Sequence, residues 1–215
     1  MSKSVAVLGL SKLGKSVAEY LSGEGVEVLV ADQNEELVNQ FSDKVTYAIV
    51  GDLTDPNTLK NLGLSNMDIV IVAMSMNLEA SIMSVMISKE LKVPRIIAKA
   101  KDDRMKEVLL RLGADQIIQP EKEFGESIAR SIMSSNFIEF FDLTDDAAIV
   151  ELTPKKHWVG HSLKELQLRK KHGINVLGIN DGDKTDFTID PDQKLKETDR
   201  LFLVVEKNNL KAISD

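Results

Sequence analysis

Apolar residues alternate between two spacings along the first two-thirds of the chain. The short, branched runs VAVLGL, VEVLVAD, VTYAIVGD, MDIVIVAM, RIIAKA and DQIIQP are each bounded by turn residues and read as strands. Between them, residues 13–23, 34–41, 55–62, 78–91 and 102–112 place apolar side chains three and four apart, as helices do. Strands apolar on both faces suit a parallel sheet covered on both sides, so the pattern predicts an α/β doubly wound, Rossmann-like sheet. Helix boundaries agree: Asp55-Pro56 and Asn77 stand where caps belong, and Gly63 and Gly113 follow helices.

Beyond the sixth strand the pattern changes. PEKEFGESIARSIMSSNFIEFF reads as one long exit helix whose apolar face includes Phe124, Ile128, Ile132 and Met133. DLTDD is a polar break, and Ala147–Leu152 resumes as a strand. The remainder holds a helix LKELQLRKKH, a strand INVLGI, a turn NDGDK, a strand TDFTI and a last strand RLFLVVEK with a short terminal helix. This is a small α+β C-terminal lobe. The expected organisation is a nucleotide-binding lobe over residues 1–134, a crossover over 135–146 and the small lobe over 147–215. Four methionines, Met74, Met76, Met83 and Met86, crowd the fourth strand and its helix and read as core filler, with an assembly contact as the alternative. Phe137, Ile138, Phe140 and Phe141 leave NFIEFF without a polar face, as expected of packing against a partner subunit.

Composition narrows the function. An apolar fraction of 43% and a charged fraction of 28% describe an ordinary folded protein. The net charge of -7 argues against a general nucleic-acid binder, which needs clustered cations to displace counterions. With no cysteine, disulfides and thiolate chemistry are excluded and an intracellular location fits. MSKSVAVLGLSKLG is too interrupted for a signal peptide, and no run of about 18 apolar residues exists. A membrane link is therefore expected to run through a partner.

The candidate chemistry begins at Gly9-Leu10-Ser11-Lys12-Leu13-Gly14, between the first strand and first helix. In a dinucleotide fold three glycines serve the tight turn, the approach of the pyrophosphate and helix–strand packing. Gly9 and Gly14 fill the first and third roles, whereas Ser11 replaces the second and either crowds a phosphate or donates a hydrogen bond to it. Asp32, followed by Gln33, ends the second strand about 20 residues on, where a carboxylate accepts both ribose hydroxyls and repels a 2′-phosphate. Gly51-Asp52 and Ala73-Met74 end the third and fourth strands on the same carboxyl edge, and Asn77 either caps the next helix or contacts ribose. Lys12 and Lys99 are the nearest cations for phosphate, each with a solvated lysine as its alternative.

Catalytic groups are harder to find. A dehydrogenase needs a proton donor or base over the nicotinamide, yet His157, His161 and His172 all fall in the small lobe, and neither Tyr20 nor Tyr47 has a lysine four residues on. His157 and His161 have no third ligand at metal-site spacing. A non-enzyme is expected, with an NAD-dependent oxidoreductase as the alternative.

The order GLSKLG, Asp32, GD, VIVAMSMN, GADQIIQPEKEFGESIAR, SLKELQLRKKHGINVLGI and DRLFLVVE resembles, over nearly the whole chain, the RCK proteins, cytosolic regulatory subunits of bacterial potassium uptake systems of the KtrA and TrkA type. The resemblance implies ATP, ADP or NAD(H) in the first lobe. It also implies a crossover helix exchanged across a homodimer, assembly into a ring expected to be an octamer, and docking on the cytoplasmic face of a membrane K⁺-translocating subunit. An RCK regulator of a cation/proton antiporter is the variant reading. Lys12 matches a position that is often basic, but offers a point charge where arginine gives a fork; with Ser11, this leaves ATP and NADH open. Glu121 matches a carboxylate that helps hold Mg²⁺ or another divalent cation, against a first-turn glutamate favoured by the helix dipole. In the small lobe the resemblance implies cyclic di-AMP between two copies, at Leu163, Gln167, Leu168, Arg169, Asn175, Val176 and Pro191, against a solvated basic helix at RKKH.

Overall fold

The computed structural model describes residues 3–74, 76–133, 137–144 and 146–213. It divides into two compact units, Met1–Glu121 and Lys122–Asp215.

The first unit is a six-stranded parallel sheet. Its strands are β1 (Ser4–Leu8), β2 (Glu27–Asp32), β3 (Tyr47–Val50), β4 (Ile69–Val72), β5 (Arg95–Lys99) and β6 (Gln116–Ile118). They lie in the order β3-β2-β1-β4-β5-β6. In register, β1 sets Leu8 beside Ala31 of β2 and Val72 of β4. The chain thus reverses direction across the sheet at β1 and β4, which places a ligand crevice at their carboxyl ends.

Helices α1 (Lys12–Gly23), α2 (Glu35–Asn39), α3 (Pro56–Asn61), α4 (Leu78–Glu90) and α5 (Asp103–Leu112) connect the strands. One apolar cluster, with Leu8, Leu59, Val72, Val85, Ile96 and Leu109, fills one side of the sheet. The other, with Val7, Leu10, Ala18, Val30 and Phe41, fills the opposite side. Two covered faces explain why these strands read as continuous apolar runs.

The caps follow the sequence closely. Asp55 accepts from the Asn57 and Thr58 N–H groups and from the Thr58 hydroxyl, with Pro56 starting α3. The Thr58 hydroxyl and amides hold its carboxyl below the ordinary value of 3.8. Its stabilisation is therefore present above that value and lost as pH falls through the depressed one. Asp55→Ala is expected to lower the melting temperature at pH 7 by about 2–5 °C, with the deficit vanishing in strong acid. A pH series of thermal melts measures both.

In the second unit α6 (Pro120–Met133) leads to a five-stranded antiparallel sheet of order β10-β9-β11-β8-β7. Its strands are β7 (Phe137–Asp142), β8 (Ala147–Leu152), β9 (Asn175–Asn180), β10 (Thr185–Asp186) and β11 (Arg200–Glu206). The sheet packs on a core of Val150, Leu152, Trp158, Leu168, Leu201 and Leu203.

Three expectations are corrected. The exit helix stops at Met133, and residues 137–142 form β7, paired with β8. The segment LKELQLRKKH is two short helices, α7 (Leu163–Leu166) and α8 (Leu168–His172), because Gln167 takes a left-handed backbone with φ of 51°. Met76 is 93% exposed and Met86 stands at the surface, so only Met74 and Met83 pack against the core. Phe141 is exposed. The packing expected of the Met133, Phe137, Ile138 and Phe140 side chains lies outside the described residues. Among the described residues no helix is long and apolar enough to cross a membrane.

Candidate functional site

The carboxyl edge of the parallel sheet is built around two glycines and one serine. Gly9 turns the chain with φ of +94°, and a β-carbon there would stand 2.6 Å from Met74 Cγ. A β-carbon on Gly14 would stand 2.0 Å from the Gly9 carbonyl oxygen, so α1 starts in direct contact with the turn it follows.

Ser11 takes φ of −61° and ψ of 174°, a conformation open to any residue, and caps α1. Its hydroxyl donates to the Ala73 carbonyl (2.6 Å) and accepts from the Gly14 N–H (3.4 Å). Through these bonds the Ser11 hydroxyl links the turn to the end of β4.

Asp32 is bound to the same turn. Its Oδ2 accepts from the Leu10 N–H (2.6 Å) and its Oδ1 from the Asn34 N–H (2.9 Å). Asp52 Oδ1 accepts from the Thr54 N–H and hydroxyl at 2.9 and 2.7 Å, and these bonds hold its carboxyl below the usual range. Asn77 caps α4 by accepting from the Ala80 N–H (3.0 Å).

Asp32, Gln33, Asp52, Leu53, Met74, Asn77 and Ala80 line one small cleft of about 70 Å³. Leu53 and Ala80 were missed by sequence reasoning. The available signals were their positions, one residue after Gly51-Asp52 and three after the Asn77 cap. Gly9, Leu10, Ser11, Lys12, Leu13, Gly14, Gly51 and Ala73 do not line it; Lys12 is exposed.

Lys99 departs from the picture of a solvated lysine. It is 5% exposed at the end of β5, and its ammonium donates to Glu121 Oε1 at 2.5 Å. That bond is the main reason the exposed Glu121 carboxyl lies below its ordinary value of 4.5. Among the described residues no group of three His, Asp or Glu side chains could hold a metal. Glu121 already carries the Lys99 ammonium.

The small lobe has its own cavity, of about 450 Å³. Leu163, Gln167, Leu168, Arg169, Asn175, Val176 and Pro191 all line it, with Lys164, Lys170, Ile174 and Ile189. Lys164 is paired with Asp192 at 3.0 Å, and its N–H donates to the Pro191 carbonyl, joining α7 to the opposite wall. Arg169 and Lys170 add positive charge to a lining that also holds Gln167, Asn175 and several apolar side chains. His157 stands edge-on to the buried Trp158, and His161 Nδ1 lies 3.3 Å from the Val159 carbonyl oxygen.

Comparison with known proteins agrees with this two-part layout. The TrkA-N domain matches residues 5–120 and the TrkA-C domain residues 147–215. Ktr system potassium uptake protein C of Bacillus subtilis (strain 168) is 41% identical over 182 residues, covering 85% of this chain and 82% of that protein. Ktr system potassium uptake protein A of the same organism is 36% identical over 214 residues, covering 100% and 96%. Among solved structures, the GsuK channel superposes on 99% of this chain with a TM-score of 0.70 at 20% identity. This chain spans only 39% of the GsuK chain, and the likeness concerns the fold. A glycine turn tied to an acidic β2 end, a small antiparallel lobe, and 36–41% identity over most of the chain to two potassium uptake proteins point one way: the chain belongs to the RCK family, as a TrkA-N domain followed by a TrkA-C domain of the Ktr potassium uptake type.

Proposed function

We propose that this protein is a non-catalytic, nucleotide-responsive subunit that gates a K⁺-translocating membrane partner from the cytoplasmic face. The observation that carries the reading is the cleft at the carboxyl edge, where Asp32 and Asp52 stand as hydrogen-bond acceptors. Ribose hydroxyls are donors, and Asp32 occupies the position that receives them. The Asp52 carboxylate, bonded by the Thr54 N–H and hydroxyl, stands beside it as a further acceptor.

The ligand class is an adenine nucleotide, ATP, ADP or NAD(H). GsuK, of the same fold, is described bound to NAD and to ADP. Gating follows if the nucleotide favours one of two arrangements of the assembled subunits, since a ligand shifts an equilibrium only by its differential affinity. The α6 residues Phe124, Ile128 and Ile132, four apart and exposed, support pairing with a second copy on the way to a ring, taken as an octamer. In the small lobe, the cavity with Arg169 and Lys170 on apolar walls suits cyclic di-AMP, whose phosphates need cations and whose bases need apolar flanks.

Thermal melts of the full chain with ATP, ADP, NAD, NADH and cyclic di-AMP test this. A ligand at about a hundredfold its Kd is expected to raise the melting temperature by about 5 °C or more. Asp32→Ala is expected to remove the nucleotide shift and leave that of cyclic di-AMP; Arg169→Ala is expected to do the reverse. Absence of any adenine-nucleotide shift, or steady turnover of NADH, would sink the reading.

A further inference from the structure

Ser11 occupies the one fingerprint position where this chain departs from glycine, and its hydroxyl both donates and accepts within the protein. It donates to Ala73, the residue after β4, and accepts from Gly14, whose N–H belongs to the first turn of α1. The first-turn amides of this helix are the donors a bridging pyrophosphate uses in such folds. One of them is capped by Ser11 from within the protein.

The second bond has a different effect. β1 and β4 are neighbours in the sheet, and the crevice between their carboxyl ends separates the two halves of a dinucleotide site. The adenosine half lies toward β2 and β3, where Asp32, Gln33 and Asp52 line the cleft. To reach the other half, a dinucleotide must run its pyrophosphate across the turn between β1 and β4. The Ser11–Ala73 bond spans that line at 2.6 Å. A mononucleotide has no second nucleoside to seat, so its phosphates can turn outward toward the exposed Lys12 without breaking this bond.

The geometry points to Ser11 as a specificity-determining residue that favours adenine mononucleotides over dinucleotides by stapling the crevice shut. The inference rests on the adenine-nucleotide reading of the cleft and adds the choice among its members. Three variants separate its parts. Ser11→Gly removes both the hydroxyl and the β-carbon at a backbone conformation glycine adopts freely. Ser11→Ala removes the hydroxyl alone, and Ser11→Thr keeps it.

The experiment is calorimetric titration of the full chain and each variant with ADP and with NADH, after melts establish that each is folded. The original chain is expected to bind ADP more tightly than NADH. Ser11→Gly is expected to strengthen NADH at least about fivefold, the scale of one intramolecular hydrogen bond, while ADP changes less than about threefold. Ser11→Ala falls between, and Ser11→Thr keeps the original ratio. An unchanged ADP-to-NADH ratio in both Ser11→Gly and Ser11→Ala overturns the inference while leaving nucleotide binding intact. Failure of the original chain to bind either ligand overturns this inference and the reading beneath it together. If Ser11→Gly does not fold, the Ser11→Ala ratio decides.

Discussion

Gly14→Ala is expected to abolish nucleotide binding and to unfold the first lobe several degrees earlier. The added methyl would stand 2.0 Å from the Gly9 carbonyl oxygen and 3.2 Å from Ala73 Cβ. The nearer atom belongs to the backbone of a turn, so relief requires the start of α1 to move away from the end of β1. Overpacking of this kind costs about 1–3 kcal/mol or more, which for a chain of this size lowers the melting temperature by about 3–10 °C. Displacing α1 also strains the hydrogen bond from Gly14 N–H to Ser11 and carries the Leu10 N–H away from Asp32. Binding should therefore fall by more than the stability loss suggests. Gly23→Ala is the control: a β-carbon there meets nothing within 4 Å, and the same measurements should be unchanged or slightly improved. Equal behaviour of the two variants in melts and ADP titration would show that the close approach at Gly14 is not what shapes the turn.

Leu203→Ala should have a comparable effect on the other lobe. Leu203 is fully buried at the centre of the antiparallel sheet, in register with Val150 on one side and Val176 on the other. Truncating a buried leucine costs about 2–5 kcal/mol, with the spread set by how far the cavity left behind collapses. Val176 also lines the small-lobe cavity, so the slack opens directly behind one of its walls. The expected result is loss of amide protection across β8, β9 and β11 and a weakened response to cyclic di-AMP, with the ADP response of the first lobe retained. Hydrogen exchange resolved by peptide reads the first part, and ligand melts read the second. Retained protection in β9 and β11 would contradict the packing assigned to Leu203.

The first lobe was legible because its central strands, β1, β2, β4 and β5, are covered on both faces. Burial then appears as an uninterrupted apolar run, and the acceptors at Asp55, Asn77 and Asp102 mark helix starts by local chemistry alone. What escaped depended on distant partners. Phe137–Asp142 is a short apolar stretch that suits a helix as well as a strand, and only pairing with Ala147–Leu152 decides between them. Ser11 could be placed in the turn from its neighbours, but its bond to Ala73 joins residues 62 positions apart. Lys99 read as a cation for phosphate or a solvated lysine because nothing nearby in sequence announces that Glu121 will meet it. The cleft residues Asp32, Asp52 and Asn77 were readable because each ends a strand or starts a helix, and topology brings those ends together. Leu53 and Ala80 carry no such mark.

The left-handed backbone at Gln167 bears on how a ten-residue stretch can line a ligand cavity. Successive residues of an unbroken helix are rotated by about 100°. On such a rod Leu163, Lys164, Gln167, Leu168, Arg169 and Lys170 would point around almost the whole circumference, and a cavity on one side could be touched by fewer of them. All six line the same cavity here, where the chain restarts its winding at Gln167 between two short helices. A single residue with φ of 51° thus breaks a cylinder, which shows a ligand one stripe, into two short faces that share one open cavity.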